Sequence, residues 1–118
     1  REIAASLSAA REIDRDGKLY CIFEPHTFSR TAALFDDFVN VFSVADKTLF
    51  VDIYAAREVN VSGVDSRMLA EKTRNGEYTS SYADAAEKMR SYAKKGDIIL
   101  ILGAGTVNEI ASLLCDKQ

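Results

Sequence analysis

The sequence has few of the residues that build metal-held folds. Its 118 residues include two cysteines, one histidine, one proline and no tryptophan. Cys21 and Cys115 belong to no Cys-x-x-Cys pair, and a single histidine does not complete a zinc site with them. We therefore assign no metal-binding or cofactor-binding residue in this chain. We interpret both cysteines as small buried side chains in a reducing compartment.

Positive charge and long apolar runs are also scarce. The formal net charge is -3, so the chain has no basic excess of the kind that binds nucleic acid or an anionic membrane surface. No apolar run approaches the roughly 20 residues of a membrane-spanning helix. The sequence contains no Gly-x-x-x-x-Gly-Lys-Ser/Thr phosphate loop, and one histidine with unplaced acids does not indicate a catalytic triad. We expect neither nucleic acid nor a membrane as a partner.

What the sequence does contain is an alternation of helical stripes and short apolar runs. Runs within 18–24, 47–52 and 97–102 predict strands buried on both faces, and 76–79 predicts a short edge strand. Helices are predicted from 3 to the turn at 16–17, from Ser29 to 42, after Ser66 as an N-cap, from Ser81 to 95, and from Thr106 to 115. This order predicts an α/β fold, a Rossmann-like three-layer sandwich with a mostly parallel sheet and helices on both faces.

The segment from Glu24 to Arg30, after the first strand, is the first candidate site. In open parallel sheets, ligands bind beyond the carboxyl ends of the strands. His26 and Arg30 lie four residues apart, so both can face one site if a helix starts within this segment. An imidazole, a guanidinium fork and a helix N-terminus together would make an anion site. The alternative is a loop histidine satisfied by backbone groups and a solvated helix arginine.

Two further segments follow predicted strands. Asp52 ends the second strand, where it could receive an amine or orient an arginine, or only bond to neighbouring backbone N–H groups. Arg57 and Glu58 beyond it could be an ordinary exposed pair. The segment from Gly103 to Asn108 is similar to Gly-x-Gly-x-x-Gly without its third glycine. It predicts a tight strand-to-helix turn, with or without close approach to a ligand.

The string from Phe23 to Thr31 resembles the Phe-Gln-Pro-His-x-Tyr/Phe-Ser/Thr-Arg-Thr segment of the Mur ligases, in the form of the members that add L-alanine. Asp46 and the segments 52–58, 65–66 and 103–105 have counterparts in the same order, so the resemblance covers essentially the whole chain. Within the family, the form of residues 25–30 argues against the ligase that recycles murein tripeptide.

The resemblance implies that residues 1–118 are the C-terminal, amino-acid-binding domain of a three-domain cytoplasmic enzyme. The N-terminal UDP-binding domain and the central ATP-binding domain are then absent from this chain, which we expect to be inactive alone. With ATP and Mg2+, bound mainly outside this domain, such an enzyme phosphorylates the carboxylate of UDP-N-acetylmuramate. The amine of L-alanine then attacks the acyl phosphate to form the amide of a peptidoglycan precursor. Domain closure excludes water from that intermediate.

The family's functional positions can be carried over to five residues of this chain. His26 and Arg30 are implied to bind the amino acid and to stabilise charge as the tetrahedral intermediate forms. Asp52, Tyr54 and Arg57 are implied to lie at the substrate site as well.

The sequence departs from the family pattern at three points. Glu24 stands where many members have glutamine, and Thr27 where some have arginine. A histidine-rich segment, which in the family precedes a stretch like that beginning at Arg1, is missing, so we expect the amino-acid site to be incomplete here.

Two other classes of protein remain open on the residues alone. A stand-alone Rossmann-like module for a nucleotide or another anion would want a better glycine fingerprint in its first strand–helix unit. A receiver-like regulatory domain would want an acidic cluster after its first strand. The segment from Glu24 to His26 does not supply that cluster, although Asp52 could serve as a phospho-acceptor.

Overall fold

Helices and strands alternate along the chain in the structure, a computed structural model that describes residues 2–13, 16–103 and 109–115. The strands are β1 (Leu19–Glu24), β2 (Lys47–Phe50), β3 (Gly76–Tyr78) and β4 (Ile98–Gly103). The helices are α1 (Glu2–Ile13), α2 (Phe28–Ala33), α3 (Phe35–Phe42), α4 (Ser66–Lys72), α5 (Tyr82–Tyr92) and α6 (Glu109–Cys115). All four predicted strands are present. No helix in the described ranges is both long enough and apolar enough to cross a membrane.

The four strands form one parallel sheet in the order β3-β2-β1-β4. β1 lies inside the sheet, and all six of its residues are buried. β4 pairs with β1 along its whole length, from Leu19 opposite Ile98 to Glu24 opposite Gly103. Among the described residues β4 is an edge strand, and its apolar side chains are only half-buried. Our prediction that this run is buried on both faces is therefore wrong in degree, because an edge strand lacks a neighbour on one side.

Helices cover both faces of the sheet, which confirms the predicted fold class. Successive side chains of a strand point to opposite faces, so Cys21 and Phe23 lie on one face of β1 while Tyr20 and Ile22 lie on the other. The first face packs against α1, α3 and α4, and the second packs against α5 and α6. Apolar contacts on both faces therefore fix the position of β1, and with it the residue at its carboxyl end, Glu24.

The predicted helix from Ser29 to 42 is two helices, α2 and α3, which meet at Leu34. Leu34 has φ -108° and ψ 16°, outside the helical range. Its N–H still donates to the carbonyl of Arg30, and its carbonyl still accepts from the N–H of Phe38. Because both four-residue hydrogen bonds persist, the apolar spacing runs through the break. The periodicity of the sequence therefore did not reveal it.

The N-cap of α4 is Asp65, so the prediction that Ser66 caps this helix is wrong by one residue. A carboxylate oxygen of Asp65 accepts from the N–H of Met68 at 2.9 Å. Ser66 is buried as the first helical residue, and its hydroxyl donates to the carbonyl of Val51 at 2.5 Å, which ties α4 to the end of β2. Ser81 caps α5 as predicted.

Candidate functional site

The loops that follow β1 and β2 are joined at the carboxyl edge of the sheet. The N–H of Thr27 donates to the carbonyl of Tyr54 at 2.8 Å, and the N–H of Tyr54 donates to the carbonyl of Pro25 at 2.9 Å. His26 and Tyr54 form an isolated parallel bridge, and their rings stack with centroids 5.6 Å apart. The structure therefore brings together two of the five residues that the sequence marked as candidates.

His26 and Arg30 also share a cleft of about 790 Å³, which we call the strand-end cleft. Its walls come from the ends of β1 and β4 and from α1, α2 and α3. They include Phe23, Glu24, His26, Arg30, Leu102 and Gly103. Both basic side chains are exposed at its surface. His26 and Arg30 therefore line the same open cleft, as a shared anion site would require.

The N-terminus of α2 does not contribute to that site in the way the sequence suggested. The N–H of Ser29 donates to Oε1 of Glu58 at 3.0 Å, and the Ser29 hydroxyl donates to Oε2 of the same carboxylate at 2.5 Å. The N–H of Arg30 donates to the hydroxyl of Thr27 at 3.3 Å. These first-turn N–H groups are already bonded within the chain, so Arg30 and His26 must supply the attraction for an anion.

Glu58 is a structural residue of the site that the sequence analysis did not find. One interpretation of the sequence made it half of an exposed pair with Arg57, but in the structure it accepts two hydrogen bonds from Ser29 at the start of α2. The two hydrogen bonds from Ser29 hold the pKa of the Glu58 carboxyl below its usual value. Because 29 positions separate Glu58 from Ser29, no local spacing in the sequence could have indicated this contact.

Thr27 holds a backbone conformation that is rare for a β-branched residue. Its φ is 63°, in the left-handed region, which costs on the order of 1–3 kcal/mol. Its N–H bonds to Tyr54, its hydroxyl accepts from Arg30, and its carbonyl accepts from the hydroxyl of Thr31 at 2.7 Å. These bonds offset the strain and set where α2 begins, and so they fix the position of the Arg30 backbone.

Asp52 lies apart from the strand-end cleft. It follows β2 by two residues, and its Oδ1 accepts from the hydroxyl of Tyr78 at 2.5 Å. This hydrogen bond raises the pKa of Tyr78, and the guanidinium of Arg67 lies 4.6 Å from the centre of the Tyr78 ring. Asp52 lines a smaller depression of about 350 Å³, the side cleft, together with Tyr54 and Tyr82. The structure thus places Asp52 and Tyr54 at one opening, and His26 and Arg30 at the other.

Arg57 is exposed and lies in the left-handed region with φ 75°, directly after Ala56 with φ 49°. It is not among the described residues that line either cleft. The structure does not bring Arg57 together with His26 and Arg30.

Glu24 lies between the two clefts and lines both of them. Its side chain is buried at the end of β1, where one carboxylate oxygen, Oε2, accepts a hydrogen bond from the hydroxyl of Tyr82. The other oxygen, Oε1, is buried and has no hydrogen-bond partner. Burial raises the pKa of the Glu24 carboxyl. The sequence analysis placed Glu24 at the start of the first candidate segment and noted its departure from glutamine, but it assigned no role to this residue.

The close approach of Glu24 explains why a glycine stands at position 103. It pairs with Glu24 across β1 and β4, and its φ is 145°. A Cβ at this position would lie 2.7 Å from the carbonyl oxygen of Glu24 and 2.9 Å from its Cβ. Glycine is therefore required here by the approach to Glu24. The rest of the predicted glycine turn, 104–108, lies outside the described residues.

The described residues hold no group of three or more His, Cys, Asp and Glu side chains placed to bind a metal ion. What the arrangement offers is a cleft with two basic groups at its surface and one buried carboxylate, at the edge of the sheet where ligands bind in this architecture.

Comparison with known proteins identifies relatives of the whole chain. The family model described as "Mur ligase, glutamate ligase domain" matches residues 1–105. A UDP-N-acetylmuramate–L-alanine ligase of Caldicellulosiruptor saccharolyticus is 43% identical over 99% of this chain and 26% of its own length. Proteins of the same name from Clostridium novyi and a Sulfurihydrogenibium species are 40% and 37% identical, over 99% and 96% of this chain. The chain spans about a quarter of the length of these relatives, 26% in each case.

Solved structures share the fold. A UDP-N-acetylmuramate-alanine ligase from Thermotoga maritima superposes with a TM-score of 0.74 at 16% identity, over 98% of this chain and 24% of that protein. A murein peptide ligase from Psychrobacter arcticus gives 0.72 at 23% identity, over 97% of this chain and 24% of that protein. At these identities the likeness bears on the fold alone.

Proposed function

The chain belongs to the Mur ligase family and matches the model of its glutamate ligase domain, and we propose that it is the amino-acid-binding domain of a longer ligase. This ligase would join L-alanine to UDP-N-acetylmuramate. The observation that carries this proposal is the identity of 37–43% with ligases of that name over nearly all of this chain. The domain would form one wall of the reaction site and would be inactive alone. Residues 1–118 would be a single domain in the cytoplasmic enzyme.

The geometry of the strand-end cleft supports the same function. A free amino acid presents a carboxylate, and His26 and Arg30 offer two basic groups at one opening. Arg30 binds carboxylates well, because its guanidinium carries paired donors in a fixed plane. We assign the carboxylate of L-alanine to Arg30, and to His26 the orientation of the reacting group and stabilisation of the charge that develops on it.

ATP and Mg2+ would be held by other parts of the ligase. The sequence has no phosphate loop, and the described residues have no cluster suited to a metal ion. When bound, ATP would activate the carboxylate of the sugar substrate by phosphorylation. The present chain would bind the amino acid, direct its amine towards that carboxylate, and exclude water as the domains close.

For the second loop we propose roles that differ from those the resemblance implied. Tyr54 would set the position of His26 by ring stacking and by its two backbone hydrogen bonds to the first loop. Asp52 would line the side cleft, where the hydrogen bond from the Tyr78 hydroxyl would hold its carboxylate in place. Arg57 lies outside both clefts among the described residues, so we propose no contact between Arg57 and the amino acid.

The test uses the longer ligase that carries this chain. Arg30→Ala should lower kcat/KM for L-alanine by at least about tenfold, because a charge-assisted contact is lost, and His26→Ala should act in the same direction. Arg74→Ala is a matched control, since Arg74 is exposed near the start of β3, at the opposite edge of the sheet. Equal kinetics for the Arg30 and Arg74 variants would remove Arg30 from the site.

A further inference from the structure

The second loop makes a strained turn between Tyr54 and Glu58. Ala56 has φ 49° and Arg57 has φ 75°, both in the left-handed region, where the Cβ of any residue other than glycine crowds the backbone. The N–H of Glu58 donates to the carbonyl of Ala55 at 2.9 Å, which closes the turn. Such strain persists only where surrounding contacts outweigh it, and it is concentrated at functional sites. The turn therefore points to a contact beyond it that offsets this cost.

The turn brings Glu58 to the start of α2. One oxygen of its carboxylate accepts from the N–H of Ser29 at 3.0 Å, and the other accepts from the Ser29 hydroxyl at 2.5 Å. These hydrogen bonds lower the pKa of the Glu58 carboxyl, with smaller contributions from the N–H of Phe28 and from the charge on His26. Glu58 is therefore a carboxylate at neutral pH, with both oxygens engaged at the first turn of α2.

Arg30 depends on this contact because it follows Ser29 directly. Its own N–H donates to the Thr27 hydroxyl at 3.3 Å, a longer hydrogen bond than either of those to Glu58. Arg30 and His26 line the strand-end cleft, whereas Glu58 is not among the described residues that line it. Any effect of Glu58 on a ligand in that cleft must therefore pass through another residue. A guanidinium that binds a carboxylate through paired donors is sensitive to orientation, so the anchoring of α2 bears on how Arg30 meets such a ligand.

We propose that Glu58 is a positioning residue for Arg30. Through Ser29 it fixes the first turn of α2, and so the orientation in which Arg30 meets the carboxylate of the incoming amino acid. This inference rests on the proposed function and gives the second loop a further part in the same site. Since Tyr54 stacks on His26, the second loop then holds both basic residues of the strand-end cleft.

The experiment is a double-mutant cycle in the longer ligase. Glu58→Gln keeps the shape of the side chain, but it removes the charge and replaces one acceptor by an NH2 group. We expect the KM for L-alanine to rise about fivefold, the scale of one weakened hydrogen bond, while kcat changes less than about twofold. A loss of folded enzyme would lower kcat and leave KM unchanged, so this pattern distinguishes positioning from structural damage. Glu71→Gln, the same change at an exposed position of α4, should leave both constants unchanged.

Two further backgrounds identify the residue through which Glu58 acts. In an Arg30→Ala ligase, Glu58→Gln should change KM less than about twofold, because the residue that it positions is gone. In a His26→Ala ligase, the same substitution should still raise KM about fivefold. If Glu58→Gln leaves KM unchanged, raises it equally with and without Arg30, or loses its effect only without His26, the positioning role is overturned while the proposed function stands. If the unmodified ligase makes no product from L-alanine, the proposed function fails and the inference fails with it.

Discussion

Replacing Gly103 by alanine tests whether β4 must approach Glu24 as closely as the structure shows. A Cβ at Gly103 would lie 2.7 Å from the carbonyl oxygen of Glu24 and 3.2 Å from its nitrogen. These are backbone atoms at the end of an inner strand, so they cannot rotate away as the end of a side chain can. Gly103→Ala must therefore shift β1 or β4, or adopt a different φ.

Two costs add in this variant. A side chain at φ 145° is in a region that essentially only glycine adopts, which costs on the order of 1–3 kcal/mol. Forcing extra volume into a packed structure costs about 1–3 kcal/mol more. We expect the free energy of unfolding to fall by about 3 kcal/mol or more, a large part of the marginal stability of a domain of this size.

Gly63→Ala is the control, because it isolates the backbone cost. Gly63 has φ 78°, and a Cβ there would meet nothing within 4 Å. The Gly63→Ala variant should therefore lose only roughly 1–2 kcal/mol of unfolding free energy, the cost of a side chain in the left-handed region. The assay is urea unfolding of the 118-residue chain, followed by circular dichroism, with the slope of the transition unchanged. Equal losses in the two variants would refute the claim that contact with Glu24 requires a glycine at 103.

Three further predictions concern other described residues. Cys21 is fully buried and burial raises its pKa to about 12, so in a Cys115→Ser background it should resist a disulfide reagent while folded and react at once in denaturing urea. Asp65→Ala should cost about 1 kcal/mol of unfolding free energy through the lost cap of α4, and a negligible loss would return the cap to Ser66. Because burial raises the pKa of Glu24 above its ordinary 4.5, the folded state binds this proton more tightly than the unfolded state, and stability falls as the pH rises above that value. Glu24→Gln has no carboxyl to ionise, so the stability of this variant relative to the unmodified chain should increase as the pH rises from 4.5 through the raised pKa of Glu24. A difference in stability between the two proteins that does not change with pH would contradict the burial of the Glu24 carboxyl.

The strands β1, β2 and β4 could be predicted because each contains a short apolar run that a sheet covered on both faces can bury, whereas β3 has no such run. The order of the elements then indicated the parallel sheet and the edge at which a site should lie. His26 and Arg30 could be placed at one site because both follow β1 within a short segment, although α2 begins only at Phe28 and does not include His26. Tyr54 was a candidate only through the family resemblance, since nothing local links it to His26.

What the sequence did not show depends on contacts between distant residues. Glu58 caps α2 and Tyr82 bonds to Glu24, across 29 and 58 positions of sequence, so no periodicity reports them. The break at Leu34 was hidden because its hydrogen bonds follow the helical pattern on both sides. The incomplete burial of β4 depends on where the strand falls in the sheet, and composition carries no information about sheet order.

The most direct test of the account is the reaction itself, carried out with the longer ligase that we propose contains this chain. UDP-N-acetylmuramate, L-alanine, ATP and Mg2+ would be supplied together, and the products would be identified by mass spectrometry. We predict UDP-N-acetylmuramoyl-L-alanine with ADP and phosphate in equal amounts, and no product when residues 1–118 are deleted or ATP is omitted. A protein that forms none of this amide, or one that forms it equally well without these residues, would contradict the account.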